Sequence, residues 1–413
     1  RDYEKSVRVP SDLAAEMSHA AALGQQAWME AREADDFSRF RDALARQFEL
    51  RHRYVACFDH FEHPYDVLLD DFEPGLTAAE LRPLFEELRE ALVPLVAAAG
   101  DPEQPRNAGV FDGEYPSEAQ RDTILRILRP MGFDPDSWRM DPSAHPFAQA
   151  MGLRDVRITT KYDERDFGVA YYSSLHEFGH GLYEANVDPA YARTPLGEPV
   201  SLGVHESQSR MWENVVGRSR PFCAWALPQL RECLGGPSVD VDELYRSVNT
   251  VQPSLIRIEA DETTYNLHII LRFELELALL EGTLAIDDLP AAWNEGVKRL
   301  LGLDVPSDAD GVLQDIHWAT GLVGYFPTYS LGNLMAAQMW TAAEEALGDL
   351  DGQLERGDFD PLRGWLRENV HRHGRKYPPR ELLRRITGAE LQVQPFVDYL
   401  RAKLVDSGVL AAT

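Results

Sequence analysis

Cysteine, lysine and long apolar runs are all scarce in this chain of 413 residues. The three cysteines, Cys57, Cys223 and Cys233, are odd in number and lack C-x-x-C spacing, which leaves no basis for a disulfide framework or a thiolate zinc site. A reducing cytoplasm suits such a chain. Five basic residues are lysine (Lys5, Lys161, Lys298, Lys376 and Lys403), the other 36 are arginine, and acids outnumber both. The formal charge of −27 argues against nucleic acid or an anionic membrane as a partner, since both need a basic surface. No apolar run is long enough to cross a bilayer, and the longest, near "ALVPLVAAAG", is interrupted by Pro94. The charged start "RDYEKSVR" is no signal peptide, and without an initiator methionine the chain is expected to begin inside a longer product.

Helix signals dominate what is there. "SDLAAEMSHAAALGQQAWMEAREA" has a candidate N-cap in Ser11, and "TAAELRPLFEELREALVPLVAAAG" opens with a capping box, Thr77 to Glu80, and stops at Gly100. "SEAQRDTILRIL" repeats the device with Ser117 and Gln120. Strand signals are few. In "DVRITTKYDERDFGVAYYSS" the β-branched Val156, Ile158, Thr159 and Thr160 precede a polar turn and a second short run, so a hairpin is expected there. With no internal repeat and no linker, the chain reads as one mostly helical domain over residues 1–413, with a small sheet.

Directly after that sheet comes "HEFGH". On a helix His176 and His180 project from one face while Glu177 stands on a neighbouring one. In a zinc hydrolase the two imidazoles ligate the metal and the glutamate takes a proton from the water that the metal polarises. Gly179 would leave room behind the metal. The plainer reading is two ordinary histidines that fall at this spacing. A third ligand is needed, and "GVHESQSRMWENVVG" supplies Glu206, 26 residues after His180, with Glu213 two turns further along. Either carboxylate could be a solvated helix charge. Glu206 is preferred, so Glu206→Ala is expected to lower metal affinity and Glu213→Ala to leave it nearly intact.

At this point the sequence resembles the thermostable metallocarboxypeptidases of the carboxypeptidase Taq type. Their motifs stand here in order: "HPF" at His145, "DVRIT" at Asp155, "HEFGH", "HESQ" at His205, "IRIEAD" at Ile256 and "GVLQDIHW" at Gly311. The resemblance covers nearly the whole chain. It implies a mainly α fold, large and helical, with a deep active-site cleft and a small β-sheet beside the zinc-binding helix. It also implies a homodimer that uses zinc to release single residues from peptide C-termini with broad specificity; cobalt, which accepts similar N and O ligands, is expected to substitute. Family members carry further helices before the point where this chain begins.

A carboxypeptidase must bind a terminal carboxylate, and an arginine fork matches one bidentately. Arg257 is the candidate that the family motif suggests, although a salt bridge to Glu259, Asp261 or another acid is its commoner fate. The run "QDIHWATGLVGYFPTYSLG" is similar to that of helical zinc dipeptidases of the angiotensin-converting type. By that likeness Tyr329 stabilises the oxyanion, Tyr325 helps hold the carboxylate and His317 holds substrate backbone; the alternative for either tyrosine is a core aromatic. His145 and Arg157 are further substrate-binding candidates, His145 through the family pattern and Arg157 because it points off the apolar face of a strand. Asp261 is a candidate for the acid behind a metal-bound histidine. The competing functions are an oligopeptidase or dipeptidyl carboxypeptidase on the same site, and a catalytically silent peptide-binding relative, against which the intact Glu177 argues.

Overall fold

Helices open where a side chain can serve the amides of the first turn, and Thr77 does so in full. Its hydroxyl accepts from the Glu80 amide (3.3 Å), Glu80 Oε2 accepts from the Thr77 amide (3.2 Å), and from there the helix Ala78–Ala99 runs on through Pro94. Two other starts differ from expectation. Ser11 and Ser117 are not caps but the first residues of Ser11–Ala34 and Ser117–Met131. Pro10 and Pro116 precede them, at φ −57° and −54°, and already turn the chain into the helix. The side chains of the second supposed box go elsewhere: Ser117 Oγ donates to Glu164 Oε1 (3.2 Å) and Gln120 to the carbonyls of Tyr115 and Asp163 (both 2.7 Å).

The computed structural model describes residues 1–413 except 102, 104–105, 153–154, 236–237 and 412–413. The chain divides into two compact units, Arg1–Pro102 with Val251–Thr328, and Glu103–Thr250 with Tyr329–Thr413. Among its described residues the first unit holds helices and no strand. Its innermost helix, Tyr265–Leu280, is apolar on nearly every side and buries Leu267, Ile269, Ile270, Leu271 and Phe273. The same helix also buries Arg272 and Glu276, two groups that water would otherwise solvate.

The second unit contains the sheet. Strands β1 (Trp138–Pro142), β2 (Ala148–Gly152) and β3 (Asp155–Thr160) lie in the order β1-β3-β2, with β3 parallel to β1 and antiparallel to β2. Val156 and Ile158 of β3 point inward and Arg157 outward. The expected hairpin is therefore corrected. Its first run is β3, but β3 pairs with strands earlier in the chain, and the second run is the start of the helix Phe167–Ala185, where Asp166 accepts from the Gly168 amide (2.8 Å).

That helix is gripped on two sides. Residues two apart lie about 200° around a helix, so Gly179 and Gly181 open nearly opposite faces. A methyl group on Gly181 would stand 2.6 Å from the Trp138 ring, and one on Gly179 would stand 2.7 Å from Ser209 Cα in the helix Leu202–Arg210. Gly179 thus makes room for a backbone, not for space behind a metal. Phe178 fills the layer between, 5.6 Å from Trp138 and 5.5 Å from Trp212. Overpacking of this kind costs about 1–3 kcal/mol. Gly179→Ala is expected to destabilise by about that amount, whereas Gly364→Ala, in the helix Asp360–Asn369 with nothing within 4 Å, should stabilise by about 0.5–1 kcal/mol. Urea midpoints of the two variants check the pair, and a neutral Gly179→Ala would refute the close approach.

Candidate metal centre

Four residues apart on one helix, His176 and His180 bring their ring centroids to 4.8 Å. Glu206 comes from the next helix, whose first turn is fixed by Ser201: its hydroxyl accepts from the Val204 amide (3.1 Å). Glu206 Oε2 lies 3.6 Å from His176 Nε2 and 3.4 Å from His180 Nε2. These three residues form a candidate metal-binding group. Tetrahedral donors about 2.1 Å from one ion stand about 3.4 Å apart, so the spacing fits a small divalent cation, and two imidazoles with one carboxylate form a donor set that catalytic zinc sites use.

Behind the donors stand two charged groups. Arg210 Nε donates to Glu206 Oε1 (2.7 Å) and Arg210 Nη1 to Glu213 Oε2 (3.3 Å), while Glu213 Oε2 also lies 2.8 Å from His176 Nδ1. An ionised Glu213 can only accept, so Nδ1 donates, and in the neutral ring Nε2 keeps its lone pair. The partner of His176 is therefore Glu213 and not Asp261. Asp261 serves its own turn, accepting from the amides of Thr263 (2.8 Å), Thr264 (3.1 Å) and Gln252 (2.9 Å). Glu206, Arg210 and Glu213 recur at helical spacing, a pattern visible in the sequence. The turn Met211–Val216 is a π-helix, which re-aims the side chains beyond Arg210.

Three carboxyls in this region meet different fates. Burial would raise Glu213, but Arg210 and His176 overcome it and hold Glu213 at about 2. Glu206 is likewise held well below the usual range, by Arg210 and both histidines against its burial. Glu177, buried with a weaker counter-charge in His176, is pushed up to about 7. For His176, burial is outweighed by Glu206 and Glu213, which carry it to about 8; they favour a positive charge there that a metal ion can supply. Burial and the neighbouring His205 bring His180 down to about 3, so it stays neutral and able to ligate. The His180 Nδ1 has no hydrogen-bond partner among the described residues, and the ring is set by stacking on His205 (4.2 Å, 16°), which Glu184 holds at 3.1 Å. Neither this stack nor Gly332 was legible in the sequence; a methyl on Gly332, in the helix Pro327–Leu347, would stand 2.6 Å from Glu206 Cβ.

The other candidates have surroundings of their own within each unit. In the first unit Arg257 is buried, with Nε (3.0 Å) and Nη2 (2.7 Å) on Asp315 Oδ1 and Nη1 on the Tyr265 hydroxyl (2.8 Å). Its acid is Asp315, neither Glu259 nor Asp261. His317 Nδ1 lies 3.7 Å from the same Asp315 oxygen, and the His317 ring is 5.3 Å from that of Tyr325. In the second unit Tyr329 is half-buried on the first turn of Pro327–Leu347. Arg157 is exposed with its fork on Asp155 (both bonds 2.9 Å), and His145 is exposed ahead of β2.

Comparison with known proteins bears on this geometry. The family model described as carboxypeptidase Taq (M32) metallopeptidase matches residues 1–404. Thermostable carboxypeptidase 1 of Thermus thermophilus is 45% identical over 97% of this chain and 81% of its own, and carboxypeptidase 1 of Bacillus subtilis is 40% identical over 98% and 81%. The crystal structure of an M32 carboxypeptidase from Deinococcus radiodurans R1 superposes with a TM-score of 0.93 at 45% identity, covering 98% of this chain and 82% of that one.

Because Glu213 orients a histidine of the candidate metal-binding group, the expectation that its loss is harmless is withdrawn. Removing such an outer carboxylate typically lowers metal affinity about 10- to 100-fold. Glu213→Ala should fall in that range and Glu206→Ala below it, as read by competition with a chelator. Parent-like affinity in Glu213→Ala would show that the histidine needs no such partner.

Proposed function

Since the chain belongs to the carboxypeptidase Taq (M32) metallopeptidase family and is a metallocarboxypeptidase, a hydrolase acting on peptide bonds, we propose that zinc and Glu177 carry its chemistry. On this reading it releases single amino acids from peptide C-termini with broad specificity. The observation that carries it is the convergence of His176, His180 and Glu206 beside a buried carboxyl poised at about 7. Bound zinc supplies the positive charge that makes water a nucleophile at neutral pH and that favours a developing oxyanion; cobalt accepts the same donors. Glu177 takes the proton of the attacking water and passes it to the leaving amine, and a pKa near the working pH suits both transfers. Tyr329 donates to the oxyanion. Arg257, preset by Asp315 and Tyr265, takes the terminal carboxylate with Tyr325, and His317 holds substrate backbone. Arg157 and His145 stand outside this assignment. Cytoplasmic residence and a homodimer belong to the same reading, the former in keeping with three unpaired cysteines.

Glu177→Gln removes the proton acceptor but neither histidine. It is expected to retain one bound metal and lose about two to four orders of magnitude in rate. Metal content and rate are measured on the same sample, and activity within about tenfold of the parent would take Glu177 out of the mechanism.

Recognition of the terminal carboxylate separates this reading from an oligopeptidase or a dipeptidyl carboxypeptidase. Charge-assisted hydrogen bonds contribute about 1.5–3 kcal/mol each, so amidating the peptide should lower kcat/KM by about two orders of magnitude or more. Arg257→Ala should be slow on the free acid and nearly indifferent to amidation. That variant also strips Asp315 of one guanidinium, so the acid-to-amide ratio is the readout, not the absolute rate. Equal rates on acid and amide by the parent would favour an oligopeptidase, and a penalty that survives in Arg257→Ala would move the clamp to Tyr325.

A further inference from the structure

Residues 311–326 form a segment with little regular structure, interrupted only by the short turn Trp318–Thr320, yet it carries Asp315, His317 and Tyr325. Something must hold it. One node lies near its start, where Arg272 Nε donates to Asp315 Oδ2 (2.7 Å) and Arg272 Nη2 to Gln314 Oε1 (2.8 Å). A second node is Glu276, four residues on and on the same face of the helix Tyr265–Leu280. It is fully buried. Its Oε1 accepts from Trp318 Nε1 (2.8 Å), and its Oε2 accepts from the Gly324 amide (3.1 Å) and the Tyr65 hydroxyl (2.7 Å). Trp318 directly follows His317, and Gly324 directly precedes Tyr325.

We propose that Glu276 is a positioning residue that fixes His317 and Tyr325 for substrate by tying down Trp318 and Gly324. The inference rests on the reading that those two side chains meet the peptide. A buried carboxyl is costly unless its hydrogen bonds are made, and here the three donors it meets make them. What the carboxyl adds is direction. Its two oxygens fix two points of the segment six residues apart, the Trp318 indole N–H and the Gly324 amide, one next in sequence to His317 and the other to Tyr325. Burial pushes the group up to about 7, against the pull of its three donors. Gly324 completes the arrangement: at φ +89° and with Leu68 backbone 2.9 Å from where a methyl group would stand, only glycine brings that amide to the carboxyl.

Three variants separate positioning from mere support. Glu276→Gln keeps the size but sets an amide donor against one of the three N–H or O–H groups. Tyr65→Phe removes one bond to Glu276 that does not come from the loop. Trp318→Phe removes one of the loop's two donors and leaves the carboxyl in place. Partial unfolding lowers kcat by the inactive fraction without moving KM, so KM for a short unblocked peptide is the deciding measurement, with bound metal assayed beside it. Positioning predicts KM about tenfold higher in Glu276→Gln and Trp318→Phe, parent-like metal content, and KM within about twofold of the parent in Tyr65→Phe. If Glu276→Gln does not fold, Trp318→Phe alone decides. Unchanged KM in Trp318→Phe, or an equal rise in all three variants, would overturn the proposal. Weighing the products of the parent keeps the two readings apart, since release of dipeptides or internal fragments would sink the single-residue carboxypeptidase without touching the KM comparison.

Discussion

The candidate metal-binding group depends on one close contact between two backbones. Helix Phe167–Ala185 meets helix Leu202–Arg210 at Gly179, where no side chain intervenes, and this brings Glu206 within 3.4 to 3.6 Å of two imidazole nitrogens. Ordinary helix axes stand about 8–10 Å apart, and a single methyl group at the contact would add about an ångström or force a tilt. Metal–ligand distances tolerate only about 0.2 Å, so the glycine is a condition of the site and not a convenience. Gly332 meets the same demand from the far side of Glu206, and Gly181 lets the Trp138 ring settle under the histidine helix. Three absent side chains thus define where three present ones can go.

Charge is arranged around that geometry. Bringing Glu206 and Glu213 into a buried layer would be prohibitive without Arg210, which donates to both. The same pairing sorts the carboxyls by function. Those that share the guanidinium are anionic across the physiological range, and one can ligate while the other orients His176. Glu177 lacks that direct bond and rises to about 7, where it can both accept and return a proton. Environment, more than residue type, suits one glutamate to serve as ligand, one as orienter and one as base.

How much of this the sequence discloses depends on whether a signal is local. The spacing of His176, Glu177 and His180 and the Thr77 capping box are local, each describing what the chain does within a few turns, and Glu206 follows only 26 residues later. Where a local rule met a competitor, it failed. A proline before Ser11 and before Ser117 had already set the helix entry, so neither serine caps. The run after β3 has apolar residues that suit a strand or a helix, and Asp166 settles it as a helix. The pairing of Arg257 with Asp315, 58 positions later, has no local trace, and neither does the stacking of His180 on His205. The role of Glu213 lay between these cases. Its spacing from Glu206 and Arg210 is regular, but a π turn intervenes, and nothing in a string of letters announces one.

Within each unit the groups assigned to chemistry are held by buried polar nodes more than by apolar packing. In the second unit the node is Arg210; in the first it is the pair Arg272 and Glu276, one helical turn apart on a buried helix. The physical reason is directional. Burial of apolar surface stabilises in proportion to area, at about 25 cal/mol per Å², and is nearly indifferent to small displacements. A hydrogen bond to an ionised group weakens steeply with distance and angle, so two or three of them on one anchor confine a side chain to a few tenths of an ångström. Such nodes add little net stability, and breaking one leaves charge or donors stranded in the interior. Their presence in buried layers is therefore better explained by placement than by stability, and on the proposed reading it makes the position of the loop from Asp315 to Tyr325 matter as much as that of the helices that carry the candidate metal ligands.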